Sequence, residues 1–237
     1  MSPVVVLVHG AFAESASWNR VVKLLQERDL DVLAVANPLR SVESDAVYVR
    51  DVVAGLDRPV VLVGHSYGGM VVSEAAAWNP AVHALVYVGA FAPEPGESAS
   101  QLVAKFPGST LAEALVAYPL ALGGDEYRIA EDRYHRQFCA DLGGDEAALM
   151  AVTQRPVTDR ALNDSLTVSE PGWRSTPSWF VFGDADRNIP AEALRFMADR
   201  AGSRRTRAVA GASHAIAASQ PGEVAATILD AVGHVQD

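Results

Sequence analysis

Gly64-His65-Ser66-Tyr67-Gly68-Gly69 follows the apolar run Pro59-Val60-Val61-Leu62-Val63, and Met70-Val71-Val72-Ser73-Glu74-Ala75-Ala76-Ala77 comes directly after it. The first run reads as a strand and the second as a helix, so the hexapeptide is a strand-to-helix turn. Such a turn holds its central residue in a strained backbone conformation and pushes that side chain outward. Glycine is needed at 64 and 68 because side chains would collide where strand and helix meet. This is a G-x-S-x-G arrangement, and it makes Ser66 a candidate nucleophile. The plainer alternative is a glycine-rich turn whose serine only caps a helix.

Working outward, short β-branched runs recur at Val4–Val8, Val32–Ala36, Val60–Val63, Ala84–Val88, Trp179–Phe182 and Thr206–Val209. They lack strict alternation, as expected of parallel strands covered on both faces. Amphipathic stretches of helical length lie between several of them. Trp18, Val21, Val22, Leu24 and Leu25 share one face; Val47, Val49, Val52, Val53 and Leu56 a second; Val224, Ala225, Ile228, Leu229 and Val232 a last. The alternation predicts an α/β fold with a mostly parallel twisted sheet and helices on both faces. It breaks between Pro93 and about Trp173, where no strand is evident. The chain therefore reads as one domain with a core of 1–92 and 174–237 and a helical cap insertion over 93–173. Within that insertion Leu122-Gly123-Gly124-Asp125-Glu126 recurs as Leu142-Gly143-Gly144-Asp145-Glu146. Each copy is expected to end one helix at its glycines and cap the next with its aspartate.

With 237 residues the chain can bury roughly 70–75% of its unfolded surface in one large domain. The formal net charge of −10 argues against nucleic acid and anionic membrane surfaces as partners. The local cluster Arg204-Arg205-Thr206-Arg207 reads as a solvated strand entrance. Cys139 is the only cysteine, which excludes an intramolecular disulfide, and it reads as a buried apolar residue. No basic segment precedes the first apolar run, which is too short for a signal peptide or a membrane span, so a cytoplasmic location is expected. There is no His-Glu-x-x-His or comparable spacing, and neither a metal nor a cofactor is expected.

A serine hydroxyl needs a base. Of six histidines, His65 adjoins Ser66 but is expected to point away, and His9 ends the first strand in a structural role. His83 opens a strand, His135 lies in the insertion and His234 in the C-terminal tail. His214 remains, in a loop after the last strand, where α/β sheets place catalytic groups. Its acid partner comes from Phe182-Gly183-Asp184-Ala185-Asp186-Arg187-Asn188-Ile189-Pro190. Asp186 is carried past the strand end, whereas Asp184 is placed to organise the turn. The resulting order is Ser66, Asp186, His214. Oxyanion donors are expected from the amides of Tyr67, opening the elbow helix, and Ala11, in the loop His9-Gly10-Ala11-Phe12.

Four segments together resemble the α/β-hydrolase superfamily: Val6-Leu7-Val8-His9-Gly10-Ala11 with Trp18 downstream; Val61 to Met70 around the elbow; Asp186-Arg187-Asn188-Ile189-Pro190; and Gly211-Ala212-Ser213-His214 followed by Ser219-Gln220-Pro221. The likeness is to the small methyl esterases, salicylate-binding proteins and hydroxynitrile lyases. It implies an eight-stranded sheet, of which six strands are visible here, the others being short or polar. It also implies a serine hydrolase for a small, largely apolar carboxylic ester. The lyases of the group carry lysine after the catalytic histidine, where this chain has Ala215, and threonine where it has Gly10. Hydroxynitrile-lyase-like C–C cleavage and a slow-turnover small-molecule receptor are the alternatives. Phe12 and Phe91 are expected at the pocket, with Phe106, Tyr118 or Phe138 above it. A homodimer is left open.

Overall fold

The computed structural model describes residues 2–236. In chain order the first half runs β1 (Val4–Val8), α1 (Asn19–Gln26), β2 (Val32–Val35), α2 (Val42–Ala54), β3 (Val60–His65), α3 (Gly68–Ala75) and β4 (Val82–Val88). An inserted segment follows with α4 (Ala99–Ala104), α5 (Leu111–Ala114), β5 (Leu115–Pro119), β6 (Asp125–Ile129), α6 (Glu131–Phe138), α7 (Gly144–Thr153), β7 (Val157–Thr158) and α8 (Asp159–Asn163). The chain closes with β8 (Ser178–Gly183), α9 (Ala191–Arg200), β9 (Arg205–Val209), α10 (Ile216–Ser219) and α11 (Pro221–Gln236).

The main sheet has the order β2-β1-β3-β4-β8-β9 and is parallel throughout. Its inner strands β1, β3, β4 and β8 are apolar on both faces because both are covered, whereas the edge strands β2 and β9 are partly exposed and β9 carries Arg205, Thr206 and Arg207. Val5, Leu7, Val61 and Val63 pack under α1 and α11, while Val4, Val6, Val8 and Leu62 face the layer of α2, α3 and α9. The strand order reverses between β1 and β3. That switch point brings the loop after β1 beside the turn after β3, the crevice where α/β folds bind ligands.

Four expectations change. The main sheet holds six strands rather than eight, and these are the six β-branched runs. Strands do occur in the inserted segment, where β5, β6 and β7 form a separate antiparallel sheet. They escape a reading by apolar periodicity because β5 is largely exposed and β6 reads Asp-Glu-Tyr-Arg-Ile. The repeated Leu-Gly-Gly-Asp-Glu takes two different structures. Gly123 and Gly124, at φ of +93° and +80°, turn the β5–β6 hairpin, whereas Gly143 occupies the N-cap of α7. Neither aspartate is a cap. In α2 the buried face is Val42, Ala46, Val49 and Val53, and Val47 is exposed, because the helix begins earlier than its apolar pattern, at a Ser41 cap.

Arg205 and Arg207 pair with Asp230 and Glu223 at the surface of α11. Among the described residues no helix is long and apolar enough to cross a membrane.

Candidate active site

Ser66 sits between β3 and α3 at φ +53°, the left-handed region that costs an ordinary residue about 1–2 kcal/mol. The surroundings enforce it. Its N–H donates to the Val88 carbonyl at 3.3 Å, and its carbonyl accepts from Gly69 at 2.9 Å and Phe91 at 3.2 Å. The glycines answer to close approach: a Cβ on Gly64 would lie 2.7 Å from the Gly68 carbonyl oxygen, and one on Gly68 2.5 Å from that of Val8.

His214 and Asp186, distant in sequence, meet at the ends of β9 and β8. The Nδ1–H of His214 donates to Asp186 Oδ2 at 2.6 Å, with both side chains buried. The other carboxylate oxygen accepts from the N–H groups of Asn188 at 2.7 Å and Ile189 at 3.0 Å. Three donors therefore fix this carboxylate, and the acid fixes the imidazole tautomer. His214 Nε2 is buried and has no partner among the described residues. It is not hydrogen-bonded to the Ser66 hydroxyl here; contacts of this kind commonly tighten only in the substrate complex. Asp184 is exposed and accepts from the Gly211 amide at 2.7 Å, a turn-building role.

The other histidines are engaged elsewhere. The Nε2–H of His65 donates to the carbonyl of His214 at 3.0 Å, and the two rings lie 4.8 Å apart. Burial, with His214 beside it, pushes its pKa down to about 3, so it is a neutral support for the His214 backbone. The sequence suggested no such reach, because it crosses from one strand end to another. His9 donates from Nδ1 to the Gly10 carbonyl at 2.9 Å and is pushed down to about 4 by burial. His83 and His135 are exposed, and His234 packs against Trp179. Cys139 is buried, which raises its thiol to about 12 and leaves it unreactive.

Ala11 and Tyr67 flank Ser66 in a cavity of about 290 Å³, and among the described residues neither amide has an acceptor. The Tyr67 ring is buried and its hydroxyl donates to Asp45 Oδ2 at 2.9 Å, tying the elbow to α2. Burial raises the Asp45 carboxyl above its usual range. Phe12 and Phe91 both line the cavity. Most of the remaining wall comes from the inserted segment, with Val103, Ala104, Leu111, Leu115 and Leu162, and the rest from Asn188 and Ile189 in the acid loop; no lining side chain is charged. None of the three suggested aromatics contributes. Phe106 packs on Phe196, Tyr118 bonds Glu126, and Phe138 lies edge-on to His214. Two other clefts, of about 340 and 350 Å³, contain none of Ser66, Asp186 and His214. No group of three or more metal-ligating side chains occurs among the described residues.

Residues 5–227 match the alpha/beta hydrolase family. The chain belongs to that family. This alpha/beta hydrolase is 24% identical to an alpha-hydroxynitrile lyase of Arabidopsis thaliana, covering 91% of this chain and 92% of that one. It is 26% identical to salicylic acid-binding protein 2 of Nicotiana tabacum, covering 95% of each. Its structure superposes on that of polyneuridine aldehyde esterase with a TM-score of 0.82 over the whole of both chains, at 22% identity, a likeness of fold.

Proposed function

We propose that this alpha/beta hydrolase is a serine esterase for small, neutral, largely apolar carboxylic esters. The reading rests above all on the cavity at Ser66: apolar, without a charged lining residue, and flanked by two amides without acceptors. Esterases among the relatives and the buried Asp186–His214 pair support it.

In this mechanism Ser66 Oγ attacks the ester carbonyl and His214 Nε2 takes its proton. The Ala11 and Tyr67 amides hold the oxyanion, and Asp186 stabilises the imidazolium. Collapse of the tetrahedral intermediate expels the alcohol, which takes the proton from His214. Water then gives a proton to His214 and attacks the acyl-Ser66 ester, and the carboxylic acid departs with Ser66 reprotonated. The inserted segment acts as the cap that sizes the pocket, and the enzyme needs no cofactor.

The lyase alternative fits less well. A Cβ at Gly10 would stand 2.6 Å from Ser66 Cβ and 2.7 Å from the His65 carbonyl oxygen, so threonine has no room there. Ala215 is buried and brings no cation beside His214.

Hydrolysis of p-nitrophenyl esters from acetate to decanoate tests the reading. Ser66→Ala lowers turnover by about 10³-fold or more with the melting temperature kept, and a fluorophosphonate labels Ser66 alone. A folded Ser66→Ala protein with wild-type turnover, or cyanide release from mandelonitrile without esterase activity, would overturn it.

A further inference from the structure

Phe12 is the second non-glycine residue at this site with positive φ, +60°, and it directly follows the oxyanion candidate Ala11. Among the described residues its backbone makes no hydrogen bond to the core sheet. Both of its backbone groups are instead taken by the inserted segment: its N–H donates to the Arg155 carbonyl at 3.1 Å, and its carbonyl accepts from the Tyr134 hydroxyl at 2.7 Å. Tyr134 is fully buried, and its ring stacks on Phe138 with centroids 5.0 Å apart.

Tyr134 does not act alone. It shares one face of α6 with Gln137 and Phe138, at the spacing of one helical turn. Gln137 Nε2 donates to the Arg187 carbonyl at 2.9 Å and to Asn188 Oδ1 at 2.8 Å, in the loop that presents Asp186. The Phe138 carbonyl, at the end of the helix, accepts from the Ala215 N–H at 3.0 Å, and its ring packs edge-on to His214 at 5.0 Å. One face of one helix thus touches the oxyanion loop, the acid loop and the histidine loop.

We propose that α6 is a brace setting the mutual register of these three loops, and that Tyr134 is a positioning residue for the oxyanion site. Without its hydroxyl, Phe12 relaxes toward negative φ. Rotation about the Phe12 N–Cα bond then carries the Ala11 peptide, and its amide leaves the place where the oxyanion forms. The inserted segment would therefore act on kcat as well as on substrate fit. The proposal rests on the esterase reading above.

The test is Tyr134→Phe, which keeps the ring stack and removes one oxygen. Expected is a loss of about 10- to 100-fold in kcat with KM changed less than threefold, because the amide acts on the transition state. A trifluoromethyl ketone, whose carbonyl accepts Ser66 Oγ to form an oxyanion while His214 takes the proton, should lose affinity in parallel. His135→Ala, on the exposed side of α6, should leave kcat unchanged. In a Phe12→Gly background, where positive φ carries no steric cost, Tyr134→Phe should cost less than threefold. Independently of activity, the Phe12 amide of the wild type should exchange with solvent far more slowly than the Ala11 amide.

A folded Tyr134→Phe protein with wild-type kcat overturns the brace and leaves the esterase reading intact. So does an equal loss in both backgrounds, or rapid exchange at Phe12, which remains decisive even if the variant does not fold. Wild type that neither hydrolyses esters nor reacts with the fluorophosphonate sinks the esterase reading, and the proposal with it.

Discussion

Three residues with awkward backbones or missing side chains govern the site at the finest scale. Ser66 and Phe12, which both line the cavity, are held at positive φ, and a Cβ on Gly10 would fall 2.6 Å from the Cβ of Ser66. Gly10→Ala places a methyl where Ser66 and the His65 carbonyl already stand, so either the serine or the oxyanion loop must shift. A shift of this size costs about 10²-fold in kcat/KM, together with roughly 1–3 kcal/mol of overpacking. Ester hydrolysis and the rate of fluorophosphonate labelling measure it, and wild-type values for both would show that the loop gives way freely. The candidate residues Ser66, Asp186 and His214 stand out in the sequence because each is a polar residue just past an apolar run, and their order along the chain is the one expected of the fold. The clamp on Phe12 was not. Tyr134 and Arg155 meet it only through the fold, and a tyrosine within a helical pattern carries no mark of the carbonyl it will reach.

Elements differ in how much of themselves the sequence displays. All six strands of the main sheet were legible as β-branched runs; in the inner four, burial on both faces removes any need for polar alternation, while the edge strands β2 and β9 stay partly exposed. The inserted segment hid its sheet for the opposite reason: β5 is short and largely exposed, and β6 is mostly polar in sequence although Glu126 and Ile129 are buried. Its repeated pentapeptide shows that two adjacent glycines specify a change of direction but not which element follows. Even so, this segment supplies most of the cavity wall. Val103 on α4 lines the cavity, and on the esterase reading Val103→Phe should shorten the room left for an acyl chain. Hexanoate and longer esters should then lose at least about 10-fold in kcat/KM while acetate changes less than threefold. A uniform loss across the series would place Val103 away from the acyl chain.

Across the molecule, the same burial that assembles the site determines how the protein meets acid. His65 and His9 lie at the ends of adjacent strands beneath the cavity, held neutral with pKa values near 3 and 4. An unfolded chain restores each toward 6.5, so below that pH the unfolded state binds protons that the folded state refuses. Stability is therefore full above about pH 6.5 and falls as pH drops toward 4, at roughly 1–1.5 kcal/mol per pH unit for each group. Asp45 acts in the opposite sense, since its raised carboxyl takes up a proton in the folded state first, but it is one group against two. Melting temperatures should hold from pH 7.5 to about 6.5 and then decline down to pH 4.5. His65→Gln, whose amide can keep the donor to the His214 carbonyl, should make the decline shallower even if it lowers the starting value. A slope unchanged by that substitution would mean that the acid sensitivity arises elsewhere in the molecule, and that the support beneath His214 tolerates charge.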